Sequence, residues 1–321
     1  MLADPALNKG GIEVLASVSN GLEPIVRIHK GYRYEDGIAD IRQLQGRYGC
    51  LRRVEVGKSV LGKSIDALVL GSGEECVHVN ASVHANEWIT TPLLLRFIEE
   101  LAAELESSSG RGEAGRLTEG LLDRITLWAV PMANPDGINL SQDGLWPECP
   151  YREHLLSWNS GVEDFSRWKA NIRGVDLNDQ FPAGWEEERA RRSTGGPAPQ
   201  DYGGSAPLSE PEAAALASLT RRLGFSRVAS LHTQGREIYW NYRDLEPDGS
   251  EALADRLAQA SGYRAVKLTG SDAGYKDWFI SEFRRPGFTI EAGVGVNPLP
   301  AGQFEAIYGE IKPLLTEFIR G

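Results

Sequence analysis

The sequence predicts an α/β fold in which helices flank a mixed, mostly parallel sheet. Short runs rich in β-branched and aromatic residues alternate with helix-period segments, the pattern of helices packed on a sheet. With 321 residues and 41% of them hydrophobic, the chain can bury one large core. Composition breaks only at SSSGRGEAGR (107–116) and STGGPAPQDYGG (193–204), which are rich in Gly, Ser or Pro and read as surface loops. No internal repeat is visible.

In chain order, a helix is expected near 35–48. The first 50 residues hold no separate apolar core, so they are read as an N-terminal extension packed on a single domain spanning 1–321. ALVLG (67–71) and CVHVNASV (76–83) read as strands, followed by a helix over 88–106 and a strand at RITLWAVP (124–131). EEERARR (186–192) reads as a solvated helix face. A helix at 209–223, a strand at RVASLH (227–232), a helix at 249–261, a strand at GFTIEAG (287–293) and a helix at 301–319 complete the pattern. In such sheets ligands sit beyond the carboxyl ends of strands, so the residues just after each strand are the ones to inspect.

Charge narrows the function classes. Asp plus Glu outnumber Lys plus Arg by 45 to 34, a net −11 that argues against a general nucleic-acid or anionic-membrane surface. No window offers 18 uncharged apolar residues for a membrane span, and Asp4 and Lys9 interrupt the N-terminus where a signal peptide needs an apolar stretch. Cys50, Cys76 and Cys149 form no CxxC pair and are odd in number, which suits a reducing compartment; a cytoplasmic location is expected.

His84 directly follows the strand CVHVNASV, and Glu87 lies one turn later, so both can converge on one point. Imidazole plus carboxylate suits zinc, and a catalytic site of that kind needs a third protein ligand. His78 stands six residues up the same strand, about 20 Å away at the usual rise. His29 lies in a pre-helical segment and His154 in a Trp-rich region. His232 ends RVASLH, again just past a strand, and is the best third ligand. Glu291 interrupts the apolar run GFTIEAG, where a carboxylate is costly without partners or a task. It reads either as an ion-paired core glutamate or as a general base serving an attacking water.

HANEW, VPMANPDG, GVDLN, SLHT and FTIEAG, in that order, resemble the motifs of zinc carboxypeptidases of the M14 type over roughly residues 30 to 320. The resemblance implies one zinc per chain held by His84, Glu87 and His232, a catalytic Glu291, and an eight-stranded mixed sheet flanked by helices. It also aligns Lys169 of RWKAN with the family's oxyanion-stabilising arginine, with Arg167 as the choice after a one-residue shift. The family's substrate-covering tyrosine has no clear counterpart; Tyr275 serves only if its loop is realigned.

Two departures bear on substrate. GVDLNDQFP carries Asp179, next to Asn178, where digestive-type members have an arginine that reads a terminal carboxylate, and Asn86 replaces a second arginine. A carboxylate in that place disfavours a free C-terminus and favours an ammonium. GVDLNDQFPAGWEEE is similar to the branch of γ-D-glutamyl-meso-diaminopimelate peptidases, whose substrate carries an extra ammonium and an extra carboxylate. Asp179 is the expected partner of the first, and Arg173, Arg236 or Lys276 of carboxylates. The expected function is therefore zinc-dependent hydrolysis of muropeptides. The rival readings are an ordinary metallocarboxypeptidase, a deacylase or amidase of small amino-acid derivatives, and a non-catalytic muropeptide binder. Oligomeric state is not legible.

Overall fold

The computed structural model describes residues 23–28, 30–106 and 113–321; His29 lies outside them. The described chain opens with helix α1 (Tyr34–Arg47), then strands β1 (Arg52–Lys58), β2 (Ser64–Gly71) and β3 (Glu75–Ala81), helices α2 (Thr90–Glu106) and α3 (Glu113–Leu122), and strand β4 (Ile125–Val130). Helices α4 (Pro135–Asp143), α5 (Arg152–Trp158), α6 (Trp185–Arg192) and α7 (Pro211–Leu223) lead to strands β5 (Arg227–His232) and β6 (Glu237–Tyr239). Helix α8 (Ser250–Ser261), strand β7 (Arg264–Val266), helix α9 (Tyr275–Phe283), strand β8 (Gly287–Glu291) and helix α10 (Phe304–Arg320) follow.

The strands form one sheet in the order β1-β2-β4-β3-β5-β8-β6-β7. Neighbours β3–β4, β3–β5, β5–β8 and β6–β7 are parallel, whereas β1–β2, β2–β4 and β6–β8 are antiparallel. The mixed, mostly parallel, eight-stranded sheet expected from the sequence is thus what forms. Every residue of β4 and β5 is buried, as expected of strands covered on both faces. Alternation along β2 sends Leu68 and Leu70 to a core shared with α2, α8 and α10, and Ile65, Ala67 and Val69 to one shared with α7 and α9. Ile25, Val26, Ile41 and Leu44 join the first of these cores.

Three strands carry no legible pattern. β1 reads RRVEVGK and forms one edge, where charge discourages pairing with another chain. β6 and β7 span only three residues each, too short for periodicity to register. The segment 107–116 is in part helical, since α3 begins at Glu113, and its residues 107–112 lie outside the described ones.

The parallel trio β3, β5 and β8 matters most. Ala81 pairs with Leu231, and His232 pairs with Glu291, so the three strands finish at one edge of the sheet. The expected site residues therefore leave the sheet side by side.

Candidate active site

Past Ala81 the chain turns at Ser82, which takes the left-handed conformation (φ +51°). Thr90 and Thr91 hold this turn: the Ser82 N–H donates to Thr90 Oγ1 at 2.9 Å, and its hydroxyl lies 2.8 Å from each threonine hydroxyl. A short 3-10 turn, Ala85–Glu87, then brings Glu87 beside His84, with Oε1 2.9 Å from His84 Nδ1. His232 Nδ1 lies 2.9 Å from Glu87 Oε2 and 3.1 Å from His84 Nδ1. One donor atom from each of the three residues falls within 4.8 Å of the others. Two imidazole nitrogens converging on a carboxylate are the donor set of a divalent metal centre, and zinc fits it.

Around this cluster stands a second layer. His84 Nε2 is 3.1 Å from Asp176 Oδ1, the carboxylate–histidine arrangement that fixes a ligand ring. The backbone N–H groups of Asn178 and Asp201 donate to Asp176 at 3.2 and 3.1 Å. The Thr233 N–H donates to Glu87 Oε2 at 3.3 Å and Asn297 Nδ2 to Glu87 Oε1 at 3.4 Å. Sequence reasoning singles out none of Asp176, Thr233 and Asn297. Only Asp176 has a signal: it stands in GVDLN, and a ligating histidine needs an acceptor for its other nitrogen.

The electrostatics match a cation site. Burial disfavours charge on both imidazoles and leaves His232 below the usual histidine value. At His84, burial is overcome by Glu87 and Asp176, which raise it to about 9. Burial likewise opposes charge on Glu87 and Asp176, yet His84 and His232 hold Glu87, and His84 and Lys169 hold Asp176, far below the usual carboxylate range. A metal would displace the proton His84 holds here.

Glu291 ends β8 opposite His232, and burial, then Glu87, push its carboxyl up to about 8. Lys169 is half-buried; burial opposes its charge, but Asp176, Glu87 and Glu291 raise it. Its backbone is pinned on both sides, Ala85 N–H donating to its carbonyl and its own N–H to Pro199 O. Arg167 is exposed and offers its carbonyl to Asn86 Nδ2 at 3.1 Å. The expected surface loop 193–204 is irregular but not merely superficial. Gly203 and Gly204 are buried, and a Cβ on Gly203 would sit 2.6 Å from the Asp179 carbonyl oxygen.

The structure distributes the remaining candidates differently from the first group. Asp179 is buried with Arg192 Nε 3.4 Å from its Oδ2, and burial and Asp176 lift its carboxyl well above the ordinary value. Arg192 also meets Glu188 at 2.7 Å and Asp201 at 2.9 Å. The run 186–192 is a solvated helix face except at Glu188, which is buried, while the exposed Arg192 lies against three carboxylates. Asn178 is half-buried beside Asp176, and Asn86 is buried. Arg173 pairs with Glu210 and reaches Tyr151, and Arg236 pairs with Glu310. Lys276 is buried, donates to Asn241 O at 2.7 Å and pairs with Asp277. It lines a cavity of about 290 Å³ together with Arg191, Arg243, Lys267 and Asp272. Tyr275 is fully buried with its hydroxyl 2.7 Å from that of Thr220, so it does not cover the cluster.

Comparisons with known proteins agree with this geometry. The zinc carboxypeptidase (Peptidase M14) family model matches residues 38–308. The chain is 46% identical to gamma-D-glutamyl-L-diamino acid endopeptidase 1 of Lysinibacillus sphaericus over 288 residues, covering 89% of this chain and 72% of that protein. It is 42% identical to YqgT of Bacillus subtilis (strain 168) over 266 residues, 81% of this chain and 70% of that one. Among solved structures, thrombin activatable fibrinolysis inhibitor superposes with a TM-score of 0.69 at 18% identity over 92% of this chain and 74% of its own. Murein-tripeptide amidase MpaA from Escherichia coli O157 gives 0.52 at 22% identity over 84% and 92%. With two imidazoles, a carboxylate and the neighbouring Glu291 at one sheet edge inside this match, the chain belongs to the M14 zinc carboxypeptidase family and is a zinc metallopeptidase.

Proposed function

We propose that this peptidase hydrolyses the γ-D-glutamyl–meso-diaminopimelate bond of cell-wall muropeptides. The observation that carries the reading is the 46% identity, over 89% of the chain, to an endopeptidase named for a γ-D-glutamyl-diamino acid bond. One zinc per chain, held by His84, Glu87 and His232, would supply the Lewis acidity that polarises the scissile carbonyl and activates water. Asp176 holds the His84 ring in place. Glu291 takes the proton of the attacking water and delivers it to the leaving nitrogen. Lys169 neutralises charge developing on the carbonyl oxygen.

Recognition falls to Asn86, Asn178 and Asp179. Asp179 favours the substrate's ammonium over a free carboxylate, although Arg192 already lies against it, so the two cations share or exchange that carboxylate. Lys276, Arg173 and Arg236, each already paired with a carboxylate of the protein, are the candidates for the substrate's own carboxylates. An ordinary metallocarboxypeptidase is the second reading, and the buried Asp179 speaks against it. Free Cys50, Cys76 and Cys149 support a reducing, cytoplasmic setting in which wall fragments are turned over. No helix among the described residues is long and apolar enough to cross a membrane.

The test is product analysis by mass spectrometry. L-Ala-γ-D-Glu-meso-diaminopimelate peptides and ordinary C-terminal peptides are incubated with the enzyme, with and without a chelator. Chelator-sensitive release of diaminopimelate-containing products alone is expected. Cleavage of ordinary peptides at comparable rates would move the assignment to a general carboxypeptidase.

A further inference from the structure

Glu87 is the one carboxylate in the triad, and its orientation is not set by the imidazoles alone. Each of its oxygens faces one imidazole nitrogen and one N–H donor outside the triad: Asn297 Nδ2 at Oε1, 3.4 Å, and the Thr233 N–H at Oε2, 3.3 Å. These two donors are themselves locked together. The Thr233 hydroxyl donates to Asn297 Oδ1 at 2.7 Å, and Asn297 Nδ2 donates to the Thr233 carbonyl at 2.8 Å. Thr233 directly follows His232, and Asn297 lies six residues after Glu291, so this side-chain pair ties the segment after β5 to the segment after β8.

We infer that Asn297 is a positioning residue for the metal centre, holding the Glu87 carboxylate in its binding orientation through a reciprocal clamp with Thr233. A carboxylate left to rotate about its terminal bond must be ordered when an ion binds; N–H donors on both oxygens hold it in place beforehand. Because both donors reach the two oxygens from one locked unit, losing either half loosens the whole. Asn297 contributes little to core packing: it is half-buried, and Val294 and Val296 in the same loop are 45% and 63% exposed. Its side-chain hydrogen bonds go to Glu87 and Thr233 alone among the described residues.

This inference rests on His84, Glu87 and His232 being the zinc ligands, and the experiment keeps the two apart. Zinc affinity of the full chain is measured by competition with a chromophoric chelator, alongside the melting temperature of the metal-free protein. Asn297→Ala should bind zinc roughly 10- to 100-fold more weakly than wild type, the range typical of groups that support a ligand from behind. Thr233→Val, which removes only the hydroxyl, should give a smaller loss in the same direction. The double variant should be no worse than Asn297→Ala, since both changes break one clamp. Melting of the metal-free protein should change little in each. Zinc affinity within about two-fold of wild type in Asn297→Ala would overturn the inference while leaving the metal centre intact. If Asn297→Ala does not fold, unchanged zinc affinity in Thr233→Val does the same. Additive losses in the double variant also overturn it. A wild-type chain that binds no zinc would instead overturn the ligand assignment, and this inference with it.

Discussion

His84, Glu87 and His232 are each at most 5% exposed and make their closest polar contacts with one another, whereas Asp179 is met by Arg192, whose side chain is 38% exposed and serves two further carboxylates. The first group lies where parallel strands end, His232 closing β5 and His84 and Glu87 in the short turn just past β3. The second sits on a 3-10 turn, a two-turn helix and an irregular loop. A cluster fixed at strand ends can hold an ion in one geometry. Exchangeable ion pairs around a buried acid can instead admit a charged ligand by trading partners, which suits recognition.

The strongest way to break this contrast is at the strand-end cluster. His232→Ala should lose both zinc and activity, because two remaining ligands rarely retain a catalytic ion. Elemental analysis beside a turnover assay checks it, and full activity without metal would end the mechanism. Next, Glu291→Gln should keep zinc and substrate binding while turnover falls by about 10²- to 10⁴-fold, the usual worth of a positioned base. A barely reduced kcat would make Glu291 a structural carboxylate.

At the exchangeable end the expected effects are smaller. Asp179→Asn should lower kcat/KM for diaminopimelate peptides by roughly 10- to 150-fold, the equivalent of about 1.5–3 kcal/mol for a charge-assisted hydrogen bond. A desamino analogue should lose less. Equal losses on both substrates would mean that Asp179 only anchors Arg192, and the recognition half of the contrast would collapse.

The gentlest probe lies behind that region, where Glu212 accepts the Val60 N–H at 3.0 Å and lies near Asn171 Nδ2 at 3.4 Å. Burial raises its carboxyl from 4.5 to about 7, with Asp136 and Glu210 adding to the shift. The fold therefore prefers the neutral form: this contribution is complete below pH 4.5 and is lost as pH rises through about 7. Glu212→Gln should remove that dependence, so its melting temperature should exceed that of wild type by a few degrees above neutrality and match it near pH 4.5. Parallel melting curves across the range would show that Glu212 has an ordinary carboxyl.

The same contrast explains what could be read from the sequence. Site residues at strand ends leave a trace, since His84, His232 and Glu291 interrupt or end apolar runs that also announce the strands. Arg192 leaves none, because a basic residue in EEERARR reads the same whether it faces water or three carboxylates. Asn297 and Thr233 meet each other and Glu87 through hydrogen bonds between segments far apart in sequence, which no local pattern encodes. The missed strands β1, β6 and β7 fail for length or charge: three residues cannot display alternation, and RRVEVGK looks like surface.

The adjacency of β3, β5 and β8 also fixes when during folding the site can exist. His84 and His232 meet across 148 residues of chain, and Glu291 arrives only with a strand near the C-terminus. Contacts of such long range are made only after the entropy of closing the intervening chain has been overcome, which places them late in folding. A nascent chain therefore cannot form the ion-binding centre before β5, with His232 at its end, has been made. Capture of an ion would then report that β3 and β5 have paired, and a chain stalled with β8 unpaired would hold its histidines without the base.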